Sequence, residues 1–204
     1  MPDSAITSRA AERRQETARQ LTSVARRLTA ERGLNGFTVE EVCAEVGVSR
    51  RTFFNYYPSK EEAVIGTNED GVMDELAAQF LDRASRGWAA VLDDLVDLAA
   101  SHASTATLGA EELAELMRVL DREPRILARF IGLSRERDQQ VLELIAHREG
   151  VSTSDRTAVA TRDLFVTVIR STGERLPDPE VAADFGAALR QTVAVMRGIL
   201  TDNS

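Results

Sequence analysis

The sequence holds a single cysteine, Cys43, among 204 residues. No disulfide can close within the chain, and a reducing compartment is the simpler reading. Histidine is nearly as scarce: His102 and His147 are the whole supply. Neither stands with cysteines or carboxylates at a zinc-ligand spacing, and no metal or other cofactor is expected. There is no Gly-rich phosphate loop and no Gly-x-Ser-x-Gly turn. Glu111, Glu112 and Glu115 open a helix, where carboxylates complement the macrodipole more readily than they form a catalytic pair. The chain is not expected to be an enzyme. No run approaches the ~18 apolar residues of a spanning helix, and the first twenty residues, rich in Arg, Ala and Glu, lack the apolar stretch of a secretory signal. A cytoplasmic location with no membrane partner is expected. Strand signals are nearly missing too, with no Asn-Gly or Asp-Gly between alternating apolar runs.

What is present is helix. Apolar residues make up 43% and charged residues 28%, ordinary for a globular chain long enough to bury its own core. The net charge of −8 conceals an asymmetry. Residues 1–60 carry ten Lys/Arg against seven Asp/Glu, whereas residues 61–204 carry fifteen against twenty-six. A locally basic head on an acidic body can engage phosphates at one end and keep the rest away. Leu21, Val24, Ala25 and Leu28 stand at i, i+3, i+4 and i+7, and Gly33 and Gly36 close that helix. Val39, Val42, Cys43 and Val46 repeat the spacing and stop at Gly47. A third short helix runs from about Arg50 to Tyr57, before Pro58. The spacing then predicts helices near 60–85, 87–103, 110–122, 125–149, 155–173 and 179–200, the last opened by Pro177-Asp178-Pro179. The expected fold is all-α with about nine helices. The first domain is placed at 1–62, an N-terminal arm with a helix-turn-helix at 38–57, and the second at 63–204.

Residues 38–62 carry the chemistry. Thr38 with Glu41, and Ser59 with Glu62, have capping-box spacing. Gly47 suits a left-handed helix end, and Ser49 caps the next helix two residues later. Val48 and Phe53 occupy its hydrophobic-staple positions. Two short helices joined by a Gly turn, the second firmly oriented, make a helix-turn-helix. With Phe53 inward and about 100° per residue, Arg51 and Asn55 lie side by side on the opposite face, flanked by Thr52 and Phe54, with Arg50 and Tyr56 nearer the edges. Arg can take guanine O6/N7, Asn can take adenine N6/N7, and a Thr methyl or aromatic ring can meet the thymine methyl. Lys60 opens the following helix, where an ammonium could hold a phosphate. The plainer alternative is a capped helical hairpin with a solvated polar face.

Thr at the start of helix two, Gly-Val-Ser between helices, and Thr-Phe-Phe-Asn-Tyr-Tyr before Ser-Lys resemble the DNA-binding signature of the TetR regulator family over about residues 15–65. The resemblance implies a three-helix DNA-binding domain followed by a larger helical domain that binds an effector and dimerises through its last two helices. Carried over by position, the DNA contacts fall on Thr38, Val39, Arg50, Arg51, Thr52, Phe54, Asn55, Tyr56 and Lys60, with the cap residue Ser49 counted among them. Phe54 stands where the family usually has Tyr, so a phenolic bond to the backbone is lost there. Cys43 replaces the usual Ala and reads as a small core residue rather than a redox sensor.

The apolar stripes of the last two helices, represented by Leu164, Val168, Val181, Phe185, Leu189, Val193 and Met196, are the expected homodimer interface, with plain internal core as the alternative. Two-fold symmetry would then pair with a pseudo-palindromic double-stranded operator. The candidate effector pocket draws on Met73, Phe80, Trp88, Leu92, His102, Met117, Leu120, Phe130 and Phe165. Arg118, Arg122, Arg125 and Arg129 could meet an anionic group or form a salt-bridged face. Wording close to actinobacterial members of the family implies an acyl-CoA-like or other hydrophobic small molecule. The expected function is a dimeric one-component transcriptional repressor released from its operator by that effector. The alternatives are a ligand-independent DNA-binding regulator or an architectural protein.

Overall fold

The structure, a computed structural model, describes residues 3–66, 72–106, 110–176 and 178–201. Eleven α-helices and one 3-10 turn form the described residues, with no strand among them. The chain divides into two compact units, Met1–Glu69 with Glu112–Gly132, and Asp70–Glu111 with Leu133–Ser204. The first unit therefore extends past the expected boundary at residue 62 and takes in a later segment of the chain.

In the first unit, α1 (Asp3–Arg32) is followed by the 3-10 turn Leu34–Gly36, then α2 (Val39–Val46), α3 (Arg50–Tyr56) and α4 (Lys60–Ile65). The expected N-terminal arm is helical from Asp3 onward. Ala18, Leu21, Ala25 and Leu28 form one buried stripe of α1, at the i, i+3, i+7, i+10 spacing that puts them on one face. α2 and α4 pack on α1, and α3 packs on α2. Leu34, Phe37, Val42, Cys43, Phe53, Tyr57, Ala63, Val64 and Ile65 are buried with them. Polar side chains share this interior. Arg26, 2% exposed, donates to the carbonyls of Val64 at 2.7 Å and Ile65 at 2.8 Å, so it satisfies the free carbonyl end of α4. The Tyr57 hydroxyl bonds Thr22 Oγ1 at 2.8 Å and donates to the Ala18 carbonyl at 3.2 Å.

The continuous helix expected over 60–85 is interrupted. Gly66 ends α4 in the left-handed conformation, φ 83, and a Cβ there would stand 2.9 Å from Arg26 Nη2. The close approach of Arg26 and the positive φ both require glycine. A separate helix, α5 (Val72–Leu81), begins beyond it. The first unit also contains most of α7 (Ala110–Arg122) and residues 124–132 of α8 (Pro124–Glu149), where Leu116, Val119, Leu120 and Ile126 are buried.

The second unit comprises α5, α6 (Trp88–Ala106), residues 133–149 of α8, α9 (Arg156–Gly173), α10 (Pro179–Ala183) and α11 (Phe185–Thr201). One apolar cluster joins Phe80, Val91, Leu95, Leu98, Leu142 and Ile145. A second joins Leu92, Val96, Ala100, Val168, Leu189 and Val193, where α6, α9 and α11 meet. Gly186 lets α11 approach α6: a Cβ there would lie 2.9 Å from the Ala100 carbonyl oxygen. The single last helix expected over 179–200 is two. Asp178 caps α10, with Pro179 at its first position; Pro177 lies outside the described residues. Asp184 then leaves helical geometry, φ −145 and ψ 80, and its carboxylate accepts the Ala187 N–H at 2.8 Å to start α11. An Asp that can bond its own downstream backbone competes with a continuous helix.

Candidate nucleic-acid interface

Thr38 opens α2 with a complete capping box: its side chain accepts the Glu41 N–H, and the Glu41 carboxylate accepts the Thr38 N–H at 2.7 Å. Those bonds, backbone first and then hydroxyl, with a smaller contribution from Arg32, hold the Glu41 carboxyl below the usual range. α2 ends at Gly47, φ 79, with the N–H groups of Gly47 and Val48 both on the Cys43 carbonyl. Ser49 caps α3 by accepting the Thr52 N–H at 3.0 Å. Phe53 is fully buried and fixes which face of α3 turns inward. The Cys43 thiol is buried in the same core. Burial, then the Glu40 charge, pushes it up, which suits a packing residue rather than a reactive thiolate.

The outer face follows from Phe53. Arg51 and Asn55 are exposed, and neither side chain has a hydrogen-bond or ion-pair partner among the described residues. Thr52 is half-buried, its hydroxyl 2.8 Å from Ser49 Oγ. Phe54 is 45% exposed. Val39 and Tyr56 are half-buried, and Thr38, Ser49 and Arg50 are exposed. The sequence-derived DNA contacts other than Lys60 thus share one surface band along the start of α2 and the outside of α3. Sequence reasoning missed two of its neighbours. Glu40 Oε1 pairs with Arg50 at 2.7 Å, and the Arg50 guanidinium lies over the Phe54 ring, 5.7 Å from its centroid. The Arg14 guanidinium lies over Tyr56 at 5.5 Å. Glu40 and Arg50 sit ten positions apart, so no local spacing rule announces the pair.

Lys60 departs from the expectation. Its Nζ donates to the carbonyls of Leu34 at 2.5 Å and Phe37 at 3.1 Å, and it stands over the Phe37 ring. Two of its three N–H donors thus tie the turn before α2 to the start of α4. The Ser59–Glu62 box is also half made: Ser59 accepts the Glu62 N–H, but the Glu62 carboxylate instead accepts two bonds from Arg129, at 2.6 and 3.0 Å. Arg125 pairs with Glu61 at 3.2 Å. In the group around Pro124, these two arginines form a salt-bridged face.

In the second unit, a half-open cavity of about 300 Å³ is lined by Trp88, Ala89, Leu92, Thr157, Ala160, Thr161, Leu164, Val168, Val193, Met196 and Arg197. Of the nine effector candidates, Trp88 and Leu92 line it. Met73 and His102 are half-buried, Phe80 belongs to the core, and Phe165 packs on both clusters. Met117, Leu120 and Phe130 fall in the first unit, with Met117 exposed and Leu120 buried. The expected dimer-interface residues divide in the same way. Val168, Val181, Leu189 and Val193 are buried within their own unit, and Phe185 and Met196 pack against its core. Leu164 is exposed, as are Val195 at 56% and Ile199 at 72% on α11. Among the described residues no group of His, Cys, Asp and Glu is placed to hold a metal, and no helix is long and apolar enough to cross a membrane.

Residues 21–64 match the family described as bacterial regulatory proteins, tetR family. The chain is 31% identical over 150 residues to the HTH-type transcriptional regulator TcmR of Streptomyces glaucescens, an alignment spanning 68% of this chain and 63% of that one. The matched region is thus under two thirds of the relative's length. A solved structure described as a TetR-family transcriptional regulator, from Mesorhizobium loti, superposes with a TM-score of 0.49 at 18% identity, covering 90% of this chain and 98% of that one. The helix-turn-helix geometry lies inside the matched segment, and residues 21–64 are thereby a DNA-binding segment of the tetR-family type.

Proposed function

We propose that the protein is a transcriptional regulator that reads double-stranded DNA with α3. The observation that carries this reading is the pair Arg51 and Asn55, exposed one turn apart with no partner among the described residues. A long cationic side chain and a carboxamide side by side on an exposed face present donors and an acceptor open to an outside partner. The major groove supplies the matching atoms on guanine and adenine. Thr38, Val39, Ser49, Arg50, Thr52, Phe54 and Tyr56 border the pair and are assigned to phosphate, sugar and methyl contacts. One donor of Lys60 remains for a phosphate, its main work being the carbonyls of Leu34 and Phe37.

A homodimer reading a pseudo-palindromic operator extends this proposal, with the interface moved to the exposed apolar side of α9 and α11: Leu164, Val195 and Ile199. The regulator acts as a repressor released by a small hydrophobic effector, and the cavity beside Trp88 and Leu92 is the place assigned to that molecule. Binding there shifts the population away from the DNA-competent state. Incubating the purified protein with a random duplex pool and sequencing the retained fragments tests the DNA reading. An enriched inverted repeat supports it, and a pool unchanged after several rounds contradicts it. Trp88 is the chain's one tryptophan, so hydrophobic compounds that both quench its fluorescence and release DNA support the effector. DNA affinity indifferent to every compound that quenches favours ligand-independent regulation.

A further inference from the structure

The reading face of α3 has an arginine stacked on an aromatic ring at each edge. Measured from Phe53 at about 100° per residue, Phe54 lies on one side of the Arg51–Asn55 ridge, and Tyr56 lies on the other with Thr52. Arg50 stands over Phe54 and Arg14 over Tyr56. The two arginines differ in their second partner. Arg50 is held by the Glu40 carboxylate at 2.7 Å. Arg14, exposed on α1, has no acidic partner among the described residues. Its place is fixed by the stripe it continues: Arg14 precedes Ala18 by one turn, and the Ala18 carbonyl is tied to the Tyr57 hydroxyl at the end of α3. The buried stripe of α1 thus emerges beside the recognition helix as a cation. Arg14 also lies outside residues 21–64, the segment that matches the family.

A major groove is walled by a phosphate backbone on each side, so a helix lying in it meets phosphates along both edges. We propose that Arg14 contacts a DNA backbone phosphate at the Tyr56 edge, a contact supplied by α1 rather than by the helix-turn-helix. The proposal rests on the assignment of α3 as the DNA-reading helix. The ring of Tyr56 holds the guanidinium in place before binding, and its uncompensated charge displaces a condensed counterion when the phosphate arrives. Because phosphates are the same in every sequence, Arg14 adds affinity without adding discrimination.

The test is fluorescence anisotropy of the full chain on its selected duplex and on an unrelated duplex across a salt series. Arg14→Ala and Arg14→Gln should each weaken both complexes by the same factor and make the slope of log K against log salt shallower by about one unit, with helicity and melting temperature unchanged. A wild-type slope in both variants, or a loss confined to one base position, overturns the proposal while leaving the reading of α3 intact. A wild-type protein that binds neither duplex at any salt concentration removes that reading and this contact together.

Discussion

Glu123 Oε1 accepts the backbone N–H of Leu34 at 2.9 Å, across 89 residues of sequence. Leu34 begins the turn between α1 and α2, where the first N–H groups lack helical partners. Gly33 just before it holds φ 72, and a Cβ there would stand 3.0 Å from the same oxygen. Glu123→Ala should cost the first unit ~1–3 kcal/mol by leaving the Leu34 N–H unpaired. Gly33→Ala should cost at least ~1 kcal/mol through its left-handed backbone. Urea denaturation measures both. A midpoint unchanged in the Glu123 variant would show that water serves Leu34 equally well.

Lys60 bonds the two carbonyls that flank that turn. Lys60→Met keeps the aliphatic stem and removes both bonds. The expected loss is ~1–2 kcal/mol, below the full value of charged hydrogen bonds because the group is half-exposed. The salt slope for DNA should change by at most about one unit. Wild-type stability combined with a slope shallower by one unit would instead make the ammonium a phosphate ligand first.

Much of the first unit is legible in the sequence because its determinants are local. The Thr38–Glu41 box, the Gly47 stop, the Ser49 cap and the inward Phe53 all act within four residues. Gly66 and Asp184 each break a run whose apolar spacing continues through them, and the reason at Gly66 is Arg26, forty positions away. Lys60 and Glu62 are misread for the same reason, since their partners Leu34, Phe37 and Arg129 come from distant segments. Apolar spacing finds the stripes of α9 and α11 but does not separate the side that faces its own core from the side left outside. Val193 and Val195 are two residues apart and fall on opposite sides of that division.

Asp94 is 2% exposed and takes bonds from Arg83, Arg86 and Arg148. Burial alone would raise its carboxyl, but the hydrogen bonds and charges of Arg83 and Arg148 outweigh that and hold it below the usual range. A carboxyl depressed in the folded state contributes stability above the ordinary aspartate value of ~4 and loses it as pH falls through the lower folded value. Asp94→Asn should cost ~3–5 kcal/mol at neutral pH by breaking a buried pair. Its deficit against the wild type should shrink below pH ~4. Denaturation curves that stay parallel down to pH ~3 would count against the arginine-held carboxylate.

The proposed interface separates neighbouring residues on α11. Val195→Glu with Ile199→Glu should turn a sedimenting dimer into a folded monomer. Val193→Glu, in the core with Leu92 and Leu189, should unfold the second unit. A double variant that remains a dimer would place the interface elsewhere.

The most direct test of base reading by α3 compares wild-type and Arg51→Ala affinities on the selected operator and on every single-base change within one half-site. Arg51→Ala should lose ~1–3 kcal/mol on the operator and become indifferent to one base position while keeping the remaining preferences. An equal loss on all of the sequences, with every preference intact, would contradict the account.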